Sequence, residues 1–244
     1  MPRQVLFIYN DPIAPEALLG ETFTELGFDV DTFEVVPADR ASDPAVDVTF
    51  PDPTRYDVIV PLGSRWAVYD ERLPWVAAEI DTVRHAVDAG VGVLGVCFGG
   101  QLVATALGGS VQRSTEPEIG WHRVSSRDPA LVPDDGPWFQ WHFDRFTPPP
   151  ESTVIARNDC ATQAFVHNRA LGLQFHPELD HKLLELWIDD DRNRDVGDLD
   201  ELGLRADDLR TDTTTHVDDA ARRLRLLVRG FLNKVADRPT RAHD

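Results

Sequence analysis

The hydrophobic positions of the chain follow two patterns. Up to about residue 110, short apolar runs rich in β-branched residues alternate with longer segments whose apolar residues recur at helical spacing. Beyond that point, short apolar runs follow one another with no helical segment between them. This order predicts an α/β fold with a mainly parallel twisted sheet, helices on both faces and an antiparallel extension.

The pattern assigns each segment as follows. Strands are predicted at Gln4 to Tyr9, Asp29 to Val35, Asp57 to Pro61, Val91 to Val96, Val111 to Arg113, Ile119 to Val124, Trp138 to His142, Thr153 to Ala156, Gln163 to Val166 and 171–175. Helices are predicted at Pro15 to Leu26, Pro74 to Ala89, Gly99 to Leu107, and around Leu183 to Ile188 and Val217 to Val235. Residues 37–53 are predicted to form a loop.

Length and composition favour one enzyme-sized domain. The chain has 244 residues, of which 42% are hydrophobic, enough to bury a large core. We expect residues 1–244 to form a single domain with an acidic helical C-terminal extension at about 180–244. The N-terminus lacks the order of regions typical of a signal peptide, and no apolar run approaches a membrane span, so a cytoplasmic protein with no membrane partner is expected.

The charge excludes one class of partner. A net charge of −18 repels phosphate, so no nucleic-acid partner is expected. The acidic residues cluster between Asp180 and Asp219. A metal site is conceivable there, but a solvated acidic loop is the favoured interpretation, and neither a metal nor a cofactor is predicted.

A cysteine stands between a predicted strand and a predicted helix. The apolar run Val91 to Val96 ends at Cys97, with glycines at positions 95 and 99 where larger side chains would collide across a tight turn. Such a turn exposes the thiol above the sheet, and the N-terminus of the following helix favours the reactive thiolate. A free cysteine is more often an inert core residue, so this motif alone indicates only a candidate nucleophile.

A second motif supplies a candidate base. The last predicted strand is followed by His176, Pro177 and Glu178. A thiol that attacks a carbonyl needs an imidazole, and that imidazole needs a carboxylate to fix its tautomer. In an extended chain His176 and Glu178 project to the same side. A strand end followed by a solvated turn would explain this motif alone, but not the two motifs in this order.

With these residues in view, the chain resembles the class I glutamine amidotransferases over about residues 55 to 180. Their G-x-C-x-G-x-Q motif corresponds to Gly95 to Gln101, and their G-x-Q-F-H-P-E motif to Gly172 to Glu178. The likeness is greatest to stand-alone members related to the glutaminase domain of GMP synthase, and it implies a flavodoxin-like sheet. Segments 118–121 and 141–144 match weaker features of that family.

The resemblance implies a role for each matching residue. Cys97, His176 and Glu178 would form the catalytic triad that hydrolyses the side-chain amide of glutamine. Phe98 would supply one backbone N–H of the oxyanion hole and Gly63 the other, although the loop at 60–64 departs from the family pattern. Gln101 would contact the substrate, and His142 would lie near the glutamine pocket. Gly100 occupies a position that varies in the family, and Cys160 is expected to be structural or incidental.

The substrate and the ammonia acceptor stay open. The sequence has no S-G-G-x-D-S loop and no P-loop, so a separate ammonia-accepting synthetase is the favoured partner. The first alternative is a γ-glutamyl peptidase or hydrolase that uses the same triad on another γ-glutamyl amide. The second is a non-catalytic binding protein on this scaffold, against which the intact triad argues.

Overall fold

The computed structural model describes residues 2–237. Its strands are β1 (Arg3–Tyr9), β2 (Phe28–Glu34), β3 (Val58–Pro61), β4 (Gly92–Val96), β5 (Ser110–Arg123), β6 (Ser125–Ser126), β7 (Pro137–Thr147), β8 (Thr153–Arg157), β9 (Thr162–His167) and β10 (Ala170–Leu173). Its α-helices are α1 (Ala17–Glu25), α2 (Pro74–Asp88), α3 (Phe98–Ala106), α4 (His181–Arg192), α5 (Asp198–Leu202) and α6 (Ala206–Phe231). A π-helical turn at Leu232–Ala236 follows α6.

The main sheet has eight strands in the order β2-β1-β3-β4-β10-β9-β8-β6. The five strands from β2 to β10 in that order are parallel, and β9, β8 and β6 continue the sheet antiparallel. Strands β5 and β7 form a separate antiparallel pair. The predicted fold class, a mainly parallel sheet with an antiparallel extension, is therefore confirmed.

Helices cover both faces of the sheet because the central strands are apolar on both sides. Helices α1 and α6 pack on one face, where Phe23 and Phe231 are fully buried. Helices α2 and α3 pack on the other, through residues such as Val83 and Leu102. Burial of each such side chain contributes about 2 kcal/mol. A third cluster joins the β5–β7 pair to α4, α5 and the start of α6.

Several predicted elements differ in length from the observed ones. The two strands predicted at 111–113 and 119–124 are one strand, β5, whose pairing with β7 shifts register between Arg113 and Glu118. The strand predicted at 171–175 ends at Leu173. Helix α6 begins eleven residues before the predicted Val217, in a stretch of Asp and Thr that lacks apolar periodicity. There threonine hydroxyls donate to carbonyls one turn back, for example from Thr211 to Asp207 O at 2.9 Å.

The prediction of a solvated acidic loop was wrong. Asp189, Asp190 and Asp191 lie in α4, and Asp198 begins the unpredicted helix α5. Asp191 is buried, and its carboxylate accepts the N–H groups of Asp198 and Leu199 at 2.5 and 3.3 Å. Its charge therefore stabilises the N-terminus of α5.

No helix among residues 2–237 has both the length and the apolar character needed to cross a bilayer.

Candidate active site

Cys97 lies on the sharp turn between β4 and α3. Its backbone has φ 52° and ψ −108°, a conformation that L-residues rarely adopt and that costs about 1–3 kcal/mol. Main chain crowds the turn on both sides. A Cβ at Gly95 would lie 2.4 Å from Gly99 O, and one at Gly99 would lie 1.9 Å from Pro61 O. Both glycines are therefore required for this geometry.

The turn is held by main-chain contacts to two other segments. Cys97 N donates to Leu173 O at 2.9 Å, and Gly99 N donates to Leu62 O at 3.1 Å. A Cβ at Gly100 would lie 2.2 Å from Leu173 O, so this chain leaves no room for a side chain there. Glycine is therefore needed at position 100 of this chain, because helix α3 packs directly on the backbone of β10.

His176 and Glu178 lie just beyond the end of β10, in the same buried region. His176 Nδ1 and Glu178 Oε1 are 2.7 Å apart, and both side chains are almost fully buried. The contact forms across a turn rather than along an extended strand, because His176 makes only an isolated bridge to Phe139. Its N–H donates to Phe139 O at 2.8 Å.

The surroundings of His176 favour its protonated form. Burial by itself lowers the pKa of the imidazole, but the charges of the Glu178 carboxylate and the Cys97 thiolate outweigh it and raise the pKa to about 10. The ring also packs edge-on against Trp187, with ring centroids 4.7 Å apart. Within residues 2–237, Glu178 Oε2 is buried without a hydrogen-bond partner.

The two backbone groups expected to form an oxyanion hole flank this region. Phe98 is the first residue of α3, so its N–H has no partner inside the helix. Gly63 lies in the loop after β3 and against His176, since a Cβ there would be 3.1 Å from His176 Cε1. A side chain at position 63 would therefore press on the imidazole.

Gln101 and His142 both line the pocket and share one backbone acceptor. Gln101 Nε2 donates to Asp144 O at 3.0 Å, and His142 Nδ1 lies 3.1 Å from the same oxygen. His142 Nε2 lies 3.1 Å from Gln140 Oε1 and 3.2 Å from Glu118 Oε2. Both ring nitrogens of His142 therefore contact the protein rather than an open space for substrate.

Cys97, His176, Gly63, Gln101 and His142 line one pocket of about 260 Å³. That volume suits a ligand of amino-acid size. Charged and aromatic side chains complete its wall, and apart from those of segment 141–144 they were not expected from the sequence. They are Asp11, Arg65, Trp66, Tyr69, Arg113, Trp141, Phe143, Asp144, Trp187, Arg194, Asp198 and Glu201.

Ion pairs connect much of this wall. Arg65 bonds Asp11 at 2.7 Å and Asp190 at 3.1 Å, and Arg194 continues the chain from Asp190 at 2.8 Å to Asp198 at 3.2 Å. The acidic segment after α4 therefore contributes directly to the pocket. Asp11 follows the carboxyl end of β1, where sites form in parallel sheets, and that position was the one signal in the sequence that could have identified it.

The second cysteine, Cys160, has contacts that lie away from the group formed by Cys97, His176 and Glu178. Cys160 is a free, partly exposed thiol in the turn before β9, and burial raises its pKa.

No group of three or more His, Cys, Asp or Glu side chains in residues 2–237 is arranged to hold a metal ion.

Known proteins are similar to this chain in sequence and in fold. The family model for glutamine amidotransferase class-I matches residues 23–187. One component of the glutamine-hydrolyzing GMP synthase of Sulfurisphaera tokodaii is 35% identical over 119 residues, which cover 43% of this chain and 63% of that protein. The chain thus spans less than two thirds of the length of that relative.

Solved structures match over nearly the whole chain. A glutamine amidotransferase from Methylobacillus flagellatus superposes with a TM-score of 0.82 at 21% identity, covering 100% of this chain and 99% of that one. Another from Thermotoga maritima superposes with a TM-score of 0.80 at 25% identity, covering 98% and 100%. Since the family model spans more than half of the sequence, the chain belongs to the class I glutamine amidotransferase family.

Proposed function

We propose that the protein hydrolyses the side-chain amide of L-glutamine through a γ-glutamyl thioester on Cys97 and supplies the ammonia to a separate synthetase. The observation that carries this proposal is that a strained cysteine and His176, which Glu178 contacts from behind, line one small pocket. The His176–Glu178 distance of 2.7 Å and the position of Cys97 at the N-terminus of α3 support it.

The first half of the reaction uses the protonated base. With its pKa raised to about 10, His176 holds a proton at neutral pH. The reacting form of Cys97 in this proposal is the thiolate. The sulfur attacks the amide carbon, and the carbonyl electrons move to the oxygen. The N–H groups of Phe98 and Gly63 stabilise that oxyanion, each by about 3 kcal/mol in the transition state. The imidazolium then protonates the leaving nitrogen, and ammonia departs as the thioester forms.

The second half restores the enzyme. Water attacks the thioester carbon while the now neutral His176 accepts one of its protons. The C–S bond breaks, glutamate leaves, and the thiolate–imidazolium pair forms again. Glutamine and water are thereby converted to glutamate and ammonia. Glu178 orients the imidazole and stabilises its charge throughout, without transferring a proton itself.

A synthetase partner is supported by a relative rather than by a contact in the structure. The relative from Sulfurisphaera tokodaii is named as one component of a glutamine-hydrolyzing GMP synthase. Passing ammonia directly to an acceptor site would avoid wasting glutamine, so the isolated protein should turn over slowly. Ammonia release should rise when a cell extract that contains the partner is added to the wild type, and it should not rise with Cys97→Ala.

The activity is tested with matched cysteine variants. Ammonia and glutamate are measured with glutamine and with γ-glutamyl peptides, for the wild type, Cys97→Ala and Cys160→Ala. We expect glutamine hydrolysis by the wild type and Cys160→Ala, and none by Cys97→Ala. The analogue 6-diazo-5-oxo-L-norleucine should label Cys97, as peptide mass mapping would report.

Two outcomes would contradict the proposal. Fast cleavage of γ-glutamyl peptides with negligible glutamine turnover would favour the peptidase alternative. No turnover of either substrate, in extract or alone, together with no labelling of Cys97, would favour a binding protein.

A further inference from the structure

Behind the pocket wall lies a closed ring of four buried polar side chains. Glu118 from β5 accepts from Gln163 Nε2 at 3.1 Å, and Gln163 Oε1 accepts from Gln140 Nε2 at 2.8 Å. Gln140 Oε1 lies 3.1 Å from His142 Nε2, which is 3.2 Å from Glu118 Oε2. The side chains of Glu118 and His142 are each 1% exposed. The triad chemistry uses none of these contacts.

A fifth side chain fixes the direction of the hydrogen bonds in this ring. Asn158 Oδ1 accepts the backbone N–H groups of Cys160 and Ala161 at 3.1 and 2.8 Å. Its amide therefore cannot be reversed, and Nδ2 must donate to Glu118 Oε1, 2.5 Å away. One oxygen of Glu118 is thus an obligatory acceptor. His122 Nδ1 lies 3.7 Å from the same oxygen.

The orientation of the two glutamines then decides the state of His142. If the side-chain amide of Gln140 were reversed, its oxygen would face Gln163 Oε1, so the amide of Gln163 would have to reverse as well. The oxygen of Gln163 would then face Glu118 Oε2. Two acceptors would then face each other unless Glu118 were protonated. Burial raises the pKa of Glu118, but the hydrogen bond and charge of His142, with His122 and Asn158, lower it overall. The carboxylate form fits only the orientation in which Gln140 presents its oxygen to His142.

In that orientation each ring nitrogen of His142 faces only acceptors. Nδ1 faces Asp144 O, and Nε2 faces Gln140 Oε1 and Glu118 Oε2. A neutral imidazole would leave one nitrogen lone pair against an oxygen in a buried site, which is costly. Two ring protons satisfy every group.

The ring reaches the substrate pocket through one carbonyl. Asp144 O accepts from both His142 and Gln101 Nε2, the latter at 3.0 Å. Gln101 lies one helical turn after Cys97, and its N–H donates to Cys97 O at 2.9 Å. Because Asp144 O holds its Nε2, Gln101 is left with Oε1 to accept a donor from a ligand in the pocket.

We propose that Glu118 is a positioning residue for substrate binding: its carboxylate holds His142 as a buried imidazolium, which fixes the Asp144 carbonyl and thereby the amide of Gln101. The inference rests on the proposed function in so far as the ligand is glutamine. The Cys97–His176–Glu178 group is separate from this ring, so loss of the ring should weaken substrate binding without slowing the chemical step.

Glu118→Gln is the variant that tests the charge while keeping the shape. With an amide at 118, its oxygen faces Asn158 and its nitrogen faces Gln163. Both ring glutamines can then reverse, and Gln140 Nε2 donates to a neutral His142. Every hydrogen bond is retained, so the variant should fold. Glu116→Gln, an exposed carboxylate on the same strand, is the matched control.

The first measurement is independent of activity. Nitrogen NMR of ¹⁵N-histidine-labelled protein at pH 7, with the signals assigned by their loss in His142→Gln, reports the protonation of each ring nitrogen. We expect two protonated nitrogens at His142 in the wild type and Glu116→Gln, and one in Glu118→Gln. A neutral His142 in the wild type would overturn the inference even if the protein is an active glutaminase.

The second measurement is steady-state glutaminase kinetics. Glu118→Gln should raise KM about threefold with kcat within about twofold, because a neutral His142 holds Asp144 O by a weaker hydrogen bond than an imidazolium does, and this bond serves the ground state and the transition state alike. Glu116→Gln should match the wild type. A Glu118→Gln enzyme with unchanged KM, or with a loss confined to kcat, would refute the positioning role. Absence of glutaminase activity in the wild type would instead count against the proposed function, with the NMR result unaffected.

Discussion

The molecule contains two buried His–Glu pairs that differ in what surrounds them. His176 and Glu178 are 2.7 Å apart, and His142 and Glu118 are 3.2 Å apart. In the first pair, one carboxylate oxygen is buried without a partner among residues 2–237, and the imidazole interacts with the thiol of Cys97. In the second pair, both carboxylate oxygens and both ring nitrogens contact other protein groups.

This difference separates a group that can exchange protons from one that fixes geometry. A base must release and accept a proton at a nitrogen that faces the substrate. The imidazole of His142 has no such nitrogen, because its two hydrogen-bonding positions are occupied by Asp144 O on one side and by Gln140 and Glu118 on the other. The presence of a histidine in a pocket motif therefore does not make it a base. The hydrogen-bond partners of both ring nitrogens decide whether it can exchange a proton with a ligand.

The largest expected effect that separates the pairs is on the chemical step. His176→Asn should lower kcat about a thousandfold, because no other group near Cys97 can deliver the proton to the leaving nitrogen. His85→Asn, at an exposed position on α2, is the control for general effects of the substitution. Glutamine turnover of His176→Asn close to that of the control would remove the catalytic role from this pair.

Isosteric substitution in both pairs gives the next largest contrast. Glu178→Gln should lower kcat roughly tenfold to a hundredfold, less than His176→Asn, because the carboxylate orients the imidazole and stabilises its charge without moving the proton. Glu118→Gln should leave kcat nearly unchanged and raise KM. Parallel kinetics of the two variants on glutamine would measure this, and equal effects on kcat would mean that the pairs do not differ as described.

The smallest effect concerns stability against pH. The pKa of His176 is raised to about 10 in the folded protein, above its ordinary value of 6.5. The folded state therefore holds this proton more tightly than the unfolded state between these values, and the free energy of unfolding should fall as pH rises through that range. Below about pH 6.5 the contribution should be fully present.

Denaturant unfolding between about pH 6 and about pH 10 would measure the pH effect. The decline should be smaller in His176→Asn than in the wild type, and the difference between the two curves isolates this one histidine from other groups. Identical curves would show that the folded environment does not hold the proton on His176.

The structure could be predicted from the sequence where the constraints on the backbone are local. The pattern of Gly95, Cys97 and Gly99 predicts a tight turn, and β4 and α3 lie within one residue of their predicted ends. His176 and Glu178 are in contact as expected, but across a turn and not along an extended chain. The roles assigned to these residues stay predictions until the variants are measured.

What the sequence could not show depends on contacts between distant segments. Arg65 and Asp190 are far apart in sequence and meet only because α4 packs beside the pocket. Trp187 occupies an apolar position of α4, and its contact with His176 follows from the packing of that helix. The buried ring around Glu118 joins β5, β7 and β9, and a polar residue on a strand gives no sign of which partners it will meet.

Helix α3 and strand β10 approach so closely at Gly100 that Cys97 and His176 cannot move independently. Leu173 O accepts from Cys97 N at 2.9 Å, and His176 follows three residues later on the same strand end. Drawing the two apart would require breaking main-chain contacts, which amounts to local unfolding of the central sheet. The pocket wall is less constrained at Tyr69, which is 51% exposed and bonds Asp144 only through its hydroxyl. A change that alters activity is therefore expected to act on entry to the pocket, because Cys97 and His176 stay together.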